Sequence, residues 1–237
     1  MSIPRFILIA PKPPVSPKYP TKASLCDAWA AAIKKYLDAS IQPLFTVLEG
    51  KLLDLDPTQL QCDCMVSPAN SFGIMDGGYD LELSRAFKRG NDEWVLTKHV
   101  QLALREQWNG YAPPSTCTIV PLPADMAGDG HNPWSARNLA VVPTMRTPED
   151  VSWHQDLVYN SMWSLLATVA RWNETHAEEK IERVLMTGLA TGQGGFTVEK
   201  CAEQMMLAVK HFTEGLPEHF KWDTVIPRDE DIRKTYT

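Results

Sequence analysis

The chain of 237 residues has no basic surplus: 23 Lys and Arg stand against 29 Asp and Glu, a formal charge of -6. That balance excludes the electrostatic footprint of bulk nucleic-acid binding. Long apolar runs are also missing. Phe6 to Ala10 is far too short for a secretory signal or a membrane span, so no membrane partner is expected. Cysteine is scarce and unpatterned. Its 5 residues fit neither a disulfide framework nor a zinc site, and they read as reduced thiols of a cytosolic or nuclear protein. Internal repeats, charge blocks and low-complexity tails are absent. So are a G-x-S-x-G elbow and a Walker A loop. No cofactor and no metal are called for. Asp125, Asp129 and His131 share the polar loop Pro123 to Trp134, but at no standard metal-site spacing. Cys62 and Cys64, two apart, are expected to face the same side of a strand as structural thiols. The oligomeric state is left open.

What is present is an ordinary globular composition, long enough for one good core. Strand-like segments alternate with helical ones. Arg5 to Ala10 reads as a strand, followed by a proline-rich connector from Pro11 to Pro20. Ser24 with Asp27 is a capping-box pattern, and the helix behind it puts Leu25, Trp29, Ile33 and Leu37 on one face. This first strand and helix are expected to form an extra layer at the sheet edge.

Further strands are expected at Leu44 to Leu48, Cys62 to Val66, Thr116 to Leu122, Asn138 to Val142 and Arg183 to Met186. Helices are expected over Leu81 to Phe87 and from about Glu93 to Trp108. Another should start at the cap Thr147-Pro148-Glu149-Asp150 and carry Trp153, Leu157, Ser161, Leu165 and Trp172. Thr197 should cap a last helix with Val198, Ala202, Met205, Val209 and Phe212 inward. A short strand is expected at Thr224 to Ile226. The alternation argues for an α/β domain whose sheet is covered on both faces and binds ligands at the C-terminal ends of its strands.

Two stretches carry the chemistry. Cys62 to Asp80 begins as a strand, turns a polar corner at Asn70-Ser71, and enters a helix through Gly77-Gly78. Val184 to Met186 leads into Gly188-Leu-Ala-Thr-Gly192-Gln-Gly194-Gly195 and a further helix. Glycine lets the backbone approach a ligand closely, and a helix N-terminus favours an anion. Two such loops point to one cleft for an extended, phosphate-bearing ligand.

The pair resembles a macro domain. That family's strand ends in V-N-A-A-N, followed by a glycine turn ending G-G-V-D-G. Here Val66-Ser67-Pro68-Ala69-Asn70 and Asp76-Gly77-Gly78-Tyr79-Asp80 stand at the matching places. The family's second loop reads roughly S-T-G-I-[FY]-G-[YF]-P, and Ala190-Thr191-Gly192-Gln193-Gly194-Gly195-Phe196 is similar to it. The resemblance covers about residues 44–212. It implies a three-layer α/β/α macro-domain fold with a mostly parallel or mixed central sheet, one macro-type domain over residues 1–237. Residues 44–213 would be its core, 1–43 a strand–helix addition and 214–237 a tail.

The resemblance further implies a cleft for ADP-ribose, free or attached to a protein partner. Asn70 matches the amide that holds the distal ribose. Gly77, Gly78 and Gly192 to Gly195, with Thr191 and Gln193, match the loops around the diphosphate. Phe196 matches an aromatic flanking the ribose end, with a hydrophobic staple onto the next helix as the equal alternative. Asp80 matches the aspartate that hydrolytic members of the MacroD type use near the distal ribose. Its implied task is to orient or deprotonate a water.

The implied activity is hydrolysis of an ADP-ribosyl ester on protein or of ADP-ribose 1″-phosphate. The alternatives are a binding module without turnover and an altered pocket for another nucleotide. The third rests on departures from the pattern. Ser67 and Pro68 replace an asparagine and an alanine and are expected to bend the strand end. Met75-Asp76 interrupts the glycine run and adds a carboxylate. Gly50-Lys51-Leu52-Leu53 stands where many members have G-D-I-T, so Lys51 brings no acceptor for an adenine amino group and Asp54 is the compensating candidate. Tyr79 and Trp222 are the aromatic candidates for stacking on a base.

Overall fold

The computed structural model describes residues 3–13, 23–128 and 132–236. In chain order the elements are β1 (Arg5–Ala10), α1 (Leu25–Tyr36), β2 (Phe45–Glu49), β3 (Cys64–Ser67), α2 (Gly78–Ala86), α3 (Val95–Trp108) and β4 (Thr118–Pro121). The short α4 (Ala124–Ala127), β5 (Asn138–Val141), α5 (Leu157–Thr175), β6 (Arg183–Met186), α6 (Val198–Glu214) and α7 (Trp222–Arg233) complete the set. Strand boundaries differ from the sequence reading by at most two residues, the usual fraying of element ends.

The six strands form one sheet in the order β2-β1-β6-β3-β5-β4. Five are parallel, and β4 runs antiparallel along β5 at one edge. Alternate side chains feed two apolar clusters, as the period-two pleat requires. Phe6, Leu8, Val66 and Met186 join residues of α1, α5 and α6 on one face. Ile7, Ile9, Met65 and Leu185 join residues of α2 and α3 on the other. The result is a three-layer α/β/α fold.

Four expectations are corrected. First, β1 is not at the sheet edge but lies between β2 and β6. Its six residues RFILIA are all buried except Arg5, which is the burial of an interior parallel strand. Second, Thr147 to Asp150 does not start α5. The Asp150 carboxylate accepts the Ser152 N–H at 2.9 Å and closes a turn, and Val151 donates to the Gly194 carbonyl at 3.1 Å. The segment therefore buttresses the second glycine loop. Asp156 occupies the N-cap position of α5, and Trp153 is exposed.

Third, Thr224 to Ile226 is helical, because α7 packs on α6 rather than on a strand. The Arg228 guanidinium donates to the His211 and Gly215 carbonyls at the end of α6. Fourth, Cys62 and Cys64 belong to opposite clusters. The regular pleat begins only at Cys64, since the Asp63 carbonyl takes the N–H groups of both Arg137 and Asn138.

Among the described residues no helix is long and apolar enough to cross a membrane, and no group of three or more His, Cys, Asp and Glu is placed to hold a metal. Asp129 and His131 lie outside the described residues, as does most of the connector ending at Pro20.

The α1 face is anchored by Trp29, fully buried, with its Nε1 donating to the Met205 Sδ of α6 at 3.5 Å. Truncating a buried indole removes its transfer free energy and leaves a cavity. Trp29→Ala should therefore cost about 3–5 kcal/mol of unfolding free energy, checked by denaturant melts against an exposed control such as Trp222→Ala, which should stay near wild type.

Candidate functional site

The carboxyl ends of all five parallel strands open on one cleft of about 530 Å³. Gly50 follows β2, Pro11 follows β1, Thr187-Gly188 follow β6, Pro68-Ala69 follow β3, and Thr144-Met145 lie beyond β5, all of them lining it. At the usual strand spacing the floor spans about 19 Å, long enough for an extended ligand.

Both glycine loops reach this cleft, because β3 and β6 are neighbours, with Cys64 paired to Val184 and Met65 to Leu185. Gly77, Gly78, Tyr79 and Asp80 line one wall, and Thr191, Gly192, Gln193 and Gly194 another. The Gly77 cap position of α2 supplies no side-chain hydrogen bond, so the first N–H groups of that helix are left for water or a ligand. Gly78 has φ +55, a left-handed value that glycine adopts without cost.

In the second loop the Gly195 N–H bonds the Gly192 carbonyl and the Phe196 N–H bonds the Ala190 carbonyl. The N–H groups of residues 191–194 have no protein acceptor among the described residues. A run of free amides at the end of a parallel strand is an anion-binding nest. Gly194 is held against the Ala190 carbonyl, where an added Cβ would lie 2.7 Å away. Any side chain there would force the loop apart.

Gly195 and Phe196 do not line the cleft. An added Cβ at Gly195 would meet the Asp150 carboxylate. Phe196 is buried in the apolar cluster that also holds Cys201 of α6.

Asn70 lines the cleft, but its amide is committed to its own corner. Its Nδ2 donates to the Ile74 carbonyl at 2.7 Å, and its Oδ1 accepts the N–H groups of Phe72 and Ile74. The second N–H of that amide has no partner among the described residues. Tyr79 packs against the α2/α3 cluster, with its hydroxyl buried and without a partner among the described residues. Burial holds that phenol well above its ordinary value. Trp222 is exposed on α7 and does not line the cleft, nor does Asp54. Lys51 does line it.

Asp80 is 7% exposed and lines the cleft from the first turn of α2. Its Oδ1 accepts the Ser67 hydroxyl at 2.7 Å. The other carboxylate oxygen has no partner among the described residues. Burial pushes the acid up to about 7. The Ser67 bond opposes that rise, and the Asp76 charge adds to it. Ser67 does not bend the strand end: β3 runs through it, paired with Val141. Its importance escaped the sequence reading because the 13-residue separation from Asp80 carries no local pattern. Glu82 escaped too. It lines the cleft, and its Oε2 accepts the Leu52 N–H at 3.2 Å.

This fold and cleft define an α/β protein that takes its ligand across the carboxyl edge of a parallel sheet. Residues 56–222 match the Macro-like domain family, and the chain belongs to it. Solved structures of similar fold include the macrodomain of Mycobacterium tuberculosis DarG. It is 17% identical, with a TM-score of 0.49 over 70% of this chain and 89% of that one. The Oceanobacillus iheyensis macrodomain with ADP is 15% identical, with a TM-score of 0.47 over 73% of this chain and 84% of that one. No curated protein matches the chain.

The Asp80 environment has a consequence for stability. The carboxyl titrates near 3.8 in the unfolded chain and near 7 in the folded one. Folding therefore favours its protonated form. Below both values the group contributes nothing, the cost grows as pH rises between them, and above 7 it is complete. Asp80→Asn, which can still accept the Ser67 hydroxyl, should be about 2–4 kcal/mol more stable than wild type at pH 8. The gap should close by pH 4 in melts across the pH range.

Proposed function

We propose that the cleft binds ADP-ribose or a close derivative and that the chain hydrolyses a bond at the distal ribose. The substrate is an ADP-ribosyl ester on a partner protein or ADP-ribose 1″-phosphate, and residues 1–237 act as one macro-type domain. Five free cysteines agree with a reducing, cytosolic or nuclear setting. One observation carries the reading: a buried carboxyl with its value near neutrality and one oxygen free, in the same cleft as two sets of unpartnered backbone amides.

The ligand's diphosphate lies between the N-terminus of α2 and the amides of residues 191–194. The distal ribose then falls on the β3/β5 side, beside Asp80 and the free N–H of Asn70. The base falls on the β2/β1 side, beside Lys51 and Glu82. Asp80 takes a proton from a water whose oxygen attacks C1″ or the group attached there. Its value near 7 suits a general base at neutral pH, ionised enough to act and basic enough to be effective. Ser67 fixes the carboxylate's orientation without competing for the oxygen that faces the ligand.

The second reading, a binding module without turnover, is favoured by the engagement of Asn70 in its own corner. The two separate at Asp80. Release of ADP-ribose from an ADP-ribosylated protein should fall by about 10²–10⁴ in Asp80→Ala, while calorimetric binding of ADP-ribose persists. Wild-type rates should rise with pH and level off above about 7. Tight binding by the wild type with no release at any pH would leave the module reading standing.

The amide cradle has its own test. Nothing lies within 4 Å of a Cβ added at Gly192. Gly192→Ala should therefore melt like the wild type yet bind ADP-ribose about tenfold more weakly, because the methyl group occupies the space of the approaching phosphate. Unchanged affinity would remove the second loop from the binding site.

A further inference from the structure

The cleft lining is acidic, with Asp76 and Asp80 on the side proposed for the distal ribose and Glu82 bonded to the Leu52 N–H on the β2 side. Its lining carries three carboxylates, Asp76, Asp80 and Glu82, and its single lining cation among the described residues is Lys51. Lys51 follows β2, whose carboxyl end lies three places in the sheet from the end of β3 that holds Ser67, the partner of Asp80. Asp76 is exposed, and it makes no hydrogen bond or ion pair to protein among the described residues. It is close enough to Asp80 for its charge to act on that carboxyl. Arg146, just beyond the lining residue Met145, is paired with Glu149 at 3.4 Å. Ile74 lines the cleft and is exposed, and its neighbour Phe72, also exposed, packs edge-on to Tyr111 at 5.6 Å.

We infer that Asp76 is a specificity-determining residue that keeps a terminal phosphate out of the distal end. The cleft thereby selects an ADP-ribosyl group joined through an uncharged ester to a protein carboxyl over one that ends in a 1″-phosphate. This rests on the function proposed above and chooses between its two substrates. The diphosphate is compensated by the α2 terminus and the free amides of residues 191–194. A third phosphate, on C1″, would meet Asp76 and Asp80, with Lys51 at the β2 end the only lining cation among the described residues. Like charges about 4 Å apart shift affinity by about an order of magnitude when water screens them incompletely.

An ester adds no charge there. In its hydrolysis the water oxygen bonds to C1″ as the C1″–O bond to the ester breaks. The bonding pair leaves on the released carboxylate, and the water proton goes to Asp80. The products are ADP-ribose, a free protein carboxylate and one proton.

The test is calorimetry of ADP-ribose and ADP-ribose 1″-phosphate at low salt, on wild type and Asp76→Asn, with ADP-ribose release from an ester-linked protein in parallel. Wild type should bind the 1″-phosphate about tenfold or more weakly than ADP-ribose. Asp76→Asn should narrow that ratio several-fold, and so should high salt. Equal or tighter binding of the 1″-phosphate by wild type overturns the inference while leaving ADP-ribose binding intact. So does an Asp76→Asn effect identical for both ligands, which would place its charge on the shared diphosphate. If ADP-ribose itself does not bind, the function proposed above falls and this inference with it.

Discussion

The site depends on one backbone pairing, β3 beside β6 in parallel register. Each strand ends in a glycine loop, and parallel neighbours put their carboxyl ends about 4.8 Å apart on the same edge of the sheet. That pairing brings residues 77–80 and residues 191–194, more than a hundred residues apart in sequence, to one edge. The buried alternation of β1, β3 and β6 into two apolar clusters locks that register. A slip of one residue would turn every core side chain to the wrong face. Function here is a consequence of sheet order, with side-chain chemistry added afterwards.

Around that pairing the cleft works by contrast. Its binding surface is mostly backbone: free amides in the second loop and an uncapped helix end in the first. Its one deeply buried acid is Asp80, desolvated by its neighbours and steadied by a serine hydroxyl. The two demands conflict, because amides that attract an anion would also stabilise an ionised Asp80. Burial settles the contest for Asp80, which stays near neutrality, whereas a solvent-reaching phosphate keeps its charge. The loop at residues 147–156 serves the same end from outside. It gives up the helix its capping residues were expected to start and supports the Gly194 carbonyl instead.

What was legible in the sequence was local. The boundaries of β1, the Thr197 cap of α6, with its hydroxyl accepting the Lys200 N–H at 3.2 Å, and both glycine loops follow from periodicity and cap chemistry. What was hidden was nonlocal. The interior place of β1 depends on a crossover that no pattern within six residues can encode. The Ser67–Asp80 bond joins a strand end to a helix start through the fold. Ser67 looked like a defect in a motif and is instead the partner of the acid. The β-branched run Thr224-Val225-Ile226 read as a strand, but it lies in α7, where Arg228 reaches the open carbonyls of α6. Phe196 offered two readings on equal terms, and its burial is set by the fold around it rather than by its own neighbours in sequence.

The central claim is that the two loops grip one diphosphate together. The most direct measurement is an NMR titration with ADP-ribose that follows the backbone amides of residues 77–80 and 191–194. The account predicts that both sets shift together, saturating at one common dissociation constant. Movement of one set alone, or two sets saturating at different concentrations, would contradict it.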